Sequence, residues 1–186
     1  MFETERFVEA CYGALKEDNA QSALRDVVTK TLEDRSGIIK GLGEPRTGGL
    51  GVLYQADDLT VLNVVWPPYM TVPAHNHNMA AVIGVYTGGE DNIFWRRDGN
   101  RIEAAGAEAL REGQAASLGT NIIHSVTNPL PKFTGAIHVY SGDFFAKERQ
   151  QWASDTLEEG PYDADYVRQL FAESNERHYA TQNTAD

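Results

Sequence analysis

Between residues 50 and 145 the chain is a series of short runs of β-branched and aromatic residues. These runs are LGVLYQ, LTVLNVVW, AAVIGVY, NIFWRR, AASLG and TGAIHVY, and turn-forming pairs such as Asp57-Asp58, Pro67-Pro68 and Gly88-Gly89 separate them. Many short strands at this spacing are typical of a β-sandwich or barrel and not of alternating strand–helix units. The sequence therefore predicts an all-β core.

Helical segments are predicted on both sides of this core. Residues 3–34 predict two helices, because their apolar residues recur at helical spacing, and the glycine-rich segment 37–49 predicts a loop. Asp163 is expected to cap the start of a short C-terminal helix, and from Glu173 onward we expect a loose polar tail. The predicted organisation is a helical extension packed on the barrel (1–45), the barrel itself (46–150), and a C-terminal helix with a polar tail (151–186).

Composition excludes several classes of partner. The formal net charge of −11 is unfavourable for binding a phosphate backbone, so no nucleic-acid partner is expected. No apolar run approaches the roughly 20 residues that a membrane span needs, so no membrane partner is expected either. The first residues do not resemble a secretory signal, and the single cysteine, Cys11, fits a reducing compartment. We expect a cytoplasmic protein, and either a monomer or a homodimer is compatible with the sequence.

Three histidines form the predicted metal site. His75 and His77, in TVPAHNHNMAAVIGVY, are two residues apart, so in an extended segment both imidazoles lie on one face. His124, in LGTNIIHSVTNP, is the third predicted ligand. Three neutral imidazoles leave open coordination positions and keep the full charge of a divalent ion, which suits iron(II). The alternative is a pair of ordinary surface or core histidines. The concentration of three of the five histidines in these two segments favours the metal site.

A second pair of residues, His138 and Tyr140, is predicted to lie beside the metal. They are two residues apart in TGAIHVYSGDF and so face the same way along a strand. The tyrosine hydroxyl would point at the metal while the imidazole orients it. The alternative is a satisfied core histidine next to an interfacial tyrosine. Glu90 and Asp91, in contrast, predict a solvated hairpin turn.

Taken in order, HNHNMAAVIGVY, NIIHSVTNP and AIHVYSGDF resemble the cysteine dioxygenase-like branch of the cupin superfamily. The resemblance covers roughly residues 50–145 and implies a cupin double-stranded β-helix, a jelly-roll barrel. It implies that His75, His77 and His124 bind ferrous iron, Fe(2+), and that His138 and Tyr140 form the element beside the iron-bound substrate. The implied reaction is oxidation of a small-molecule thiol by O2 to a sulfinic acid.

Departures from the family pattern bear on the substrate. Ala81 replaces the glutamate that many cupins carry, which fits a three-histidine site, and Val82 rules out the cysteine–tyrosine crosslink of the animal enzymes. Ala136 replaces the serine that precedes the HxY element in those enzymes. Gln55 stands near the position of their carboxylate-binding arginine and resembles bacterial 3-mercaptopropionate dioxygenases, and Ala80 implies a roomier pocket. Mercaptosuccinate or 3-mercaptopropionate is therefore expected rather than cysteine.

The cation that would bind the substrate carboxylate is left open by the sequence. Arg96 and Arg97 follow a predicted strand, and alternation lets one of them point inward, where a bidentate contact with a carboxylate is possible. The alternative is that both extend into solvent at the strand end. Arg46, in the glycine-rich loop before the barrel, is a weaker candidate for the same role.

Two other functions remain open at this point. A cupin with manganese, nickel or zinc could catalyse an isomerisation or hydrolysis, and a metal-dependent cupin could bind a ligand without catalysis. Iron content together with O2 consumption distinguishes the dioxygenase from both. The HxY element favours the dioxygenase.

Overall fold

The barrel is built from two antiparallel sheets. The computed structural model describes residues 1–183, with side chains described through residue 181. Its strands are β1 (Gly49–Gln55), β2 (Thr60–Trp66), β3 (Thr71–Asn76), β4 (Ala81–Thr87), β5 (Gly89–Asp98), β6 (Arg101–Arg111), β7 (Ala115–Leu118), β8 (Ile123–Thr127), β9 (Thr134–Tyr140), β10 (Gln150–Trp152) and β11 (Glu159–Pro161). One sheet has the order β1-β2-β9-β4-β7, and the other has the order β11-β10-β3-β8-β5-β6. This arrangement confirms the predicted double-stranded β-helix, a jelly-roll barrel.

Within residues 1–183, four α-helices flank the barrel: α1 (Thr4–Ala14), α2 (Ala20–Thr31), α3 (Arg35–Leu42) and α4 (Ala164–Asn183). A short 3-10 turn, Leu32–Asp34, joins α2 to α3. Of the helices in the described residues, none has the length and apolar character that crossing a membrane requires.

The central strands of the five-stranded sheet, β2, β9 and β4, are buried on both faces, and the alternation of their side chains separates two cores. On β2, Leu62 and Val64 point into the barrel, whereas Val61 packs with the N-terminal helices. Gly84 on β4 is needed for this packing, because a Cβ there would lie 2.4 Å from Cγ1 of Val28 on α2. The first helices therefore cover the outer face of the sheet and leave the barrel interior to the site.

The loop predicted for residues 37–49 is wrong in its first part, because α3 extends to Leu42. The Asp34 side chain caps this helix by accepting a hydrogen bond from the Gly37 N–H at 2.9 Å. The helix ends before Gly43, whose φ of 88° is easily adopted only by glycine. Local capping therefore overrides the glycine content that suggested a loop.

The C-terminal helix starts where predicted but does not give way to a loose tail at Glu173. Asp163 caps it by accepting from the N–H groups of Asp165 and Tyr166. The helix continues to Asn183. Tertiary contacts hold this second half in place, including a 2.7 Å hydrogen bond from the Gly48 N–H to Asn175. Residues 184–186 of the predicted tail lie outside the described residues.

Three strands were not expected from the sequence. β6 pairs with β5 in a long hairpin, but most of its residues are exposed, so the strand lacks apolar alternation. β10 and β11 are only three residues long each. β10 pairs with β3 at Gln151 and His75, so the six-stranded sheet continues past residue 150, where the barrel was predicted to end.

Candidate metal centre

Three buried imidazoles converge inside the six-stranded sheet. His75 on β3 and His124 on β8 are register partners, and His77 lies just beyond the end of β3. Nε2 of His77 is 3.2 Å from Nε2 of His75 and 3.3 Å from Nε2 of His124. One nitrogen from each residue falls within a group no wider than 4.8 Å. His77 and His124 are 47 positions apart in the chain, yet their Nε2 atoms are neighbours in the fold.

Hydrogen bonds on the far side of two rings fix their tautomers. Nδ1 of His75 donates to the Pro73 carbonyl at 2.9 Å, and Nδ1 of His124 donates to Oδ1 of Asn92 at 2.7 Å. Both residues therefore present an unprotonated Nε2 to the centre of the group, as metal-binding histidines commonly do. Nε2 of His77 can give a proton to only one of them. At least one close nitrogen pair would then have lone pairs facing each other, and a shared cation relieves that repulsion.

The two nitrogen–nitrogen distances from His77 and the charge state of the group fit a divalent metal. Metal–nitrogen bonds of about 2.1 Å at tetrahedral or octahedral angles place neighbouring nitrogens roughly 3.0–3.4 Å apart. Burial lowers the pKa of His75 to about 4, and it lowers the pKa values of His77 and His124 well below their usual range. All three are thus neutral near pH 7, the form that binds metal ions. His75, His77 and His124 could hold one metal ion.

Tyr140 and His138 lie next to this group, as predicted. The Tyr140 ring is 5.0 Å from the His77 ring, centroid to centroid, and both are buried. The Tyr140 hydroxyl is 3.0 Å from Nδ1 of His138, close enough for a hydrogen bond. Their roles in catalysis remain predictions.

Glu90 was predicted to lie in a solvated turn, and this is wrong, since its side chain is 0% exposed. It accepts hydrogen bonds from Nε1 of Trp66 at 2.9 Å and from Nδ2 of Asn92 at 3.1 Å, and Nε2 of His138 is 3.3 Å away. Burial alone would raise the pKa of this carboxyl group. The contacts with His138, Asn92 and Trp66 outweigh burial and hold the pKa below its ordinary value.

Arg149 is a second residue near the site that sequence reasoning missed, after Glu90. Its guanidinium carbon lies 4.0 Å from the ring centroid of Phe144 and 4.0 Å from that of Tyr162. The Phe144 ring lies 6.1 Å from the His77 ring, and the Tyr162 ring 6.0 Å from the His75 ring. Nη1 of Arg149 is buried and has no hydrogen-bond partner. The charged run KERQ gave no signal that this arginine would be buried.

The residues predicted to bind the substrate carboxylate lie elsewhere. Gln55 donates to the Asp143 carboxylate at 3.0 Å on the surface. Three arginines are at least partly exposed and paired with carboxylates: Arg96 with Glu103, Arg97 with Glu159, and Arg46 with Glu44. None of the four lines the cavity at the histidines. Each of the four lies on the outside of a strand or in a loop. A nearby carboxylate pairs with each arginine and accepts the hydrogen bond from Gln55.

Apolar side chains complete the cavity around the histidines. The walls come from the barrel and from α4, and they include Leu50, Val64, Val72, Val126, Val167 and Phe171. The cavity volume is about 30 Å³, which is room for one or two waters. A thiol substrate is larger than this cavity, so some of the side chains that form its walls would have to move to admit it.

Comparisons with known proteins found similar solved structures but no matching family. No family model matches the chain. It is similar to a protein of Bacillus halodurans, with 16% identity, 56% of this chain and 77% of that chain covered, and a TM-score of 0.49. It is also similar to an RmlC-like cupin of Methanocaldococcus jannaschii with a double-stranded β-helix fold. The identity is 13%, the match covers 55% of this chain and 87% of that chain, and the TM-score is 0.46. A third similar structure is oxalate decarboxylase of Bacillus subtilis, with 18% identity and a TM-score of 0.42. That match covers 51% of this chain but only 24% of the decarboxylase chain. These similarities concern the β-structure and do not bear on the substrate.

Proposed function

We propose that this chain is an iron(II)-dependent thiol dioxygenase that converts a small mercapto-carboxylate to its sulfinic acid with O2. The substrate we favour is mercaptosuccinate or 3-mercaptopropionate rather than cysteine. One observation carries the proposal. Three neutral imidazoles and a buried phenol line a single apolar cavity, and a guanidinium group with an unpaired nitrogen stacks on two aromatic rings of the cavity wall.

His75, His77 and His124 would hold the iron through Nε2. Neutral ligands leave the ion its full charge, and bound iron would supply a Lewis acid for the thiol sulfur and a site for O2. The Pro73 carbonyl and the Asn92 amide keep two of the three rings oriented without a metal present. The apolar walls would exclude water from the reacting thiol.

Arg149 would bind the substrate carboxylate. A guanidinium group offers two parallel N–H donors to a carboxylate, and a buried one gains more from such a contact than a solvated one does. Its stacking between Phe144 and Tyr162 restrains it beside the histidines. Among the described residues that line the cavity there is no aspartate or glutamate. An ammonium group such as that of cysteine would therefore have no anionic partner among the residues that line this cavity, which favours a mercapto-carboxylate without an amine.

Tyr140 would contact the sulfur of the substrate. Burial raises the pKa of its hydroxyl far above the usual range, so the group stays a neutral phenol at any working pH. A neutral phenol can both donate and accept a hydrogen bond. Its contact with His138 fixes the hydroxyl within the cavity wall.

The test is O2 consumption by iron-loaded protein with a panel of thiols. Mercaptosuccinate, 3-mercaptopropionate, cysteine and cysteamine differ in their carboxylate and amine groups, and zinc-loaded protein is the matched control. We expect one O2 consumed per thiol, fastest for the mercapto-carboxylates and slowest for cysteamine, with two labelled oxygens from 18O2 in the product. If no thiol raises O2 uptake above the zinc control, the dioxygenase proposal fails and the isomerase, hydrolase or binding alternatives take its place.

A further inference from the structure

A buried row of three residues leads away from the cavity. The Tyr140 hydroxyl is 3.0 Å from Nδ1 of His138, and Nε2 of His138 is 3.3 Å from Oε2 of Glu90. The second contact has the distance of an ion pair, although it is not aligned as a straight hydrogen bond. All three residues are at most 3% exposed. A carboxylate, an imidazole and a phenol thus follow one another without intervening water.

The donors around Glu90 determine where protons lie in this row. Trp66 Nε1 and Asn92 Nδ2 can only donate, and both donate to the Glu90 carboxylate. A lone pair on Nε2 of His138 would face the ionised carboxylate at 3.3 Å and be repelled by it, so this repulsion favours a proton on that nitrogen. In neutral His138 the other nitrogen, Nδ1, is then unprotonated and accepts the Tyr140 O–H.

We propose that Glu90 is a positioning residue that sets the tautomer of His138 and thereby the direction in which the Tyr140 hydroxyl points. With the proton on Nε2, next to the Glu90 carboxylate, the Tyr140 O–H is directed to Nδ1 of His138. An oxygen lone pair of Tyr140 then faces the cavity. Nothing in the sequence pattern assigns Glu90 a role, and its catalytic meaning rests on the dioxygenase function proposed above.

This direction gives the row a proton-accepting role. A substrate thiol that binds as a thiolate must lose its S–H proton. As the S–H bond breaks, that proton forms an O–H bond with Tyr140, while the original Tyr140 proton moves to Nδ1 of His138. The resulting imidazolium lies against the Glu90 carboxylate, which stabilises it as a buried acid does in a hydroxyl–imidazole–carboxylate row. No electrons leave the substrate in this step.

Glu90→Gln is the informative substitution, because glutamine has nearly the same shape but supplies one acceptor and one donor. With its oxygen kept on Asn92, its amide N–H2 group faces His138. That contact requires an unprotonated Nε2, so the proton moves to Nδ1 and the hydrogen bond to Tyr140 reverses. Glu112→Gln is the matched control, because Glu112 also accepts several hydrogen bonds, including one from the Gly88 N–H, but lies outside the cavity.

The first test needs neither metal nor turnover. NMR correlation of imidazole nitrogens with ring protons in metal-free protein reports which nitrogen of each histidine is protonated, and His138→Gln identifies the signal. We expect Nε2–H in the wild-type protein and in Glu112→Gln, and Nδ1–H in Glu90→Gln. Nδ1–H in the wild-type protein would overturn the proposal without any variant, as would an unchanged tautomer in Glu90→Gln.

The second test separates positioning from a merely structural role. We expect Glu90→Gln to keep its iron and its KM while kcat falls about 100-fold, within the range for lost proton transfer. In the Tyr140→Phe background the same substitution should have no further effect, because the hydroxyl that it orients is absent. An equal loss in both backgrounds contradicts the proposal. If wild-type protein oxidises no thiol, the function proposed above fails instead, and the tautomer measurement still decides the role of Glu90.

Discussion

Burial of the three imidazoles makes the metal-free protein sensitive to mild acid. The pKa of His75 is lowered to about 4, because burial disfavours the charged ring and Arg149 adds repulsion. In the unfolded chain a histidine has a pKa of about 6.5. Below that value the unfolded state binds a proton that the folded state does not. Stability is therefore full above about pH 6.5, falls as the pH decreases, and stops falling below about pH 4.

The size of the effect follows from the shift. One pH unit within this window corresponds to about 1.36 kcal/mol per histidine. Lowering the pH from 7 to 5 should then cost about 2 kcal/mol through His75 alone. His77 and His124 act in the same direction, because their pKa values are also lowered. Against a typical stability of about 5–15 kcal/mol this is a large loss.

Urea unfolding followed by tryptophan fluorescence measures the loss in metal-free protein at pH 8, 7, 6 and 5. His75→Asn removes one titrating ring, and its amide can still donate to the Pro73 carbonyl. We expect histidine titration to contribute almost no difference in the free energy of unfolding of the wild-type protein between pH 8 and pH 7. The variant should lose about 2 kcal/mol less than the wild type between pH 7 and 5. Equal losses would refute the assignment of this acid sensitivity to His75.

Three further outcomes are expected. Arg149→Met should raise KM for a mercapto-carboxylate at least about tenfold, since a carboxylate contact with arginine is lost, and should leave the KM for cysteamine unchanged in the O2 assay. Phe171→Ala should cost about 3–5 kcal/mol in urea unfolding, because the Phe171 ring stacks on Trp66 at 5.4 Å in the barrel mouth. Asn92→Ala should weaken metal binding about 10–100-fold in chelator competition, because His124 loses the partner that orients it.

Local pattern was sufficient to predict the core of the site. Alternation along a strand placed His75 and His77 within reach of one point, and the β-rich surroundings made a returning strand with His124 plausible. The register that pairs His75 with His124 matches this reasoning. The same alternation predicted that His138 and Tyr140 share one face. Each inference needed only a period of two and an all-β fold.

The charged members of the site could not be predicted in this way. Arg149 lies in KERQ and Glu90 in GGEDN, stretches whose composition is typical of solvated loops and turns. Their burial depends on what packs over them: two aromatic rings in one case, and Trp66, Asn92 and His138 in the other. These partners come from distant segments, so no window of sequence around either residue contains the signal.

The position of Glu90 nevertheless follows from the strand register. On β5, Phe94 is the register partner of His124, and Asn92 and Glu90 precede it at steps of two. Because side chains on a strand alternate between faces, these three residues point to the same side, and the interposed Asp91 and Ile93 point outward. Asn92 then reaches His124 while Glu90 reaches His138, and Asn92 also donates to Glu90. One strand thus links the orientation of His124 to that of the Tyr140 phenol. A one-residue insertion between Glu90 and Asn92 would turn the carboxylate outward and break that link while leaving the three histidines in place.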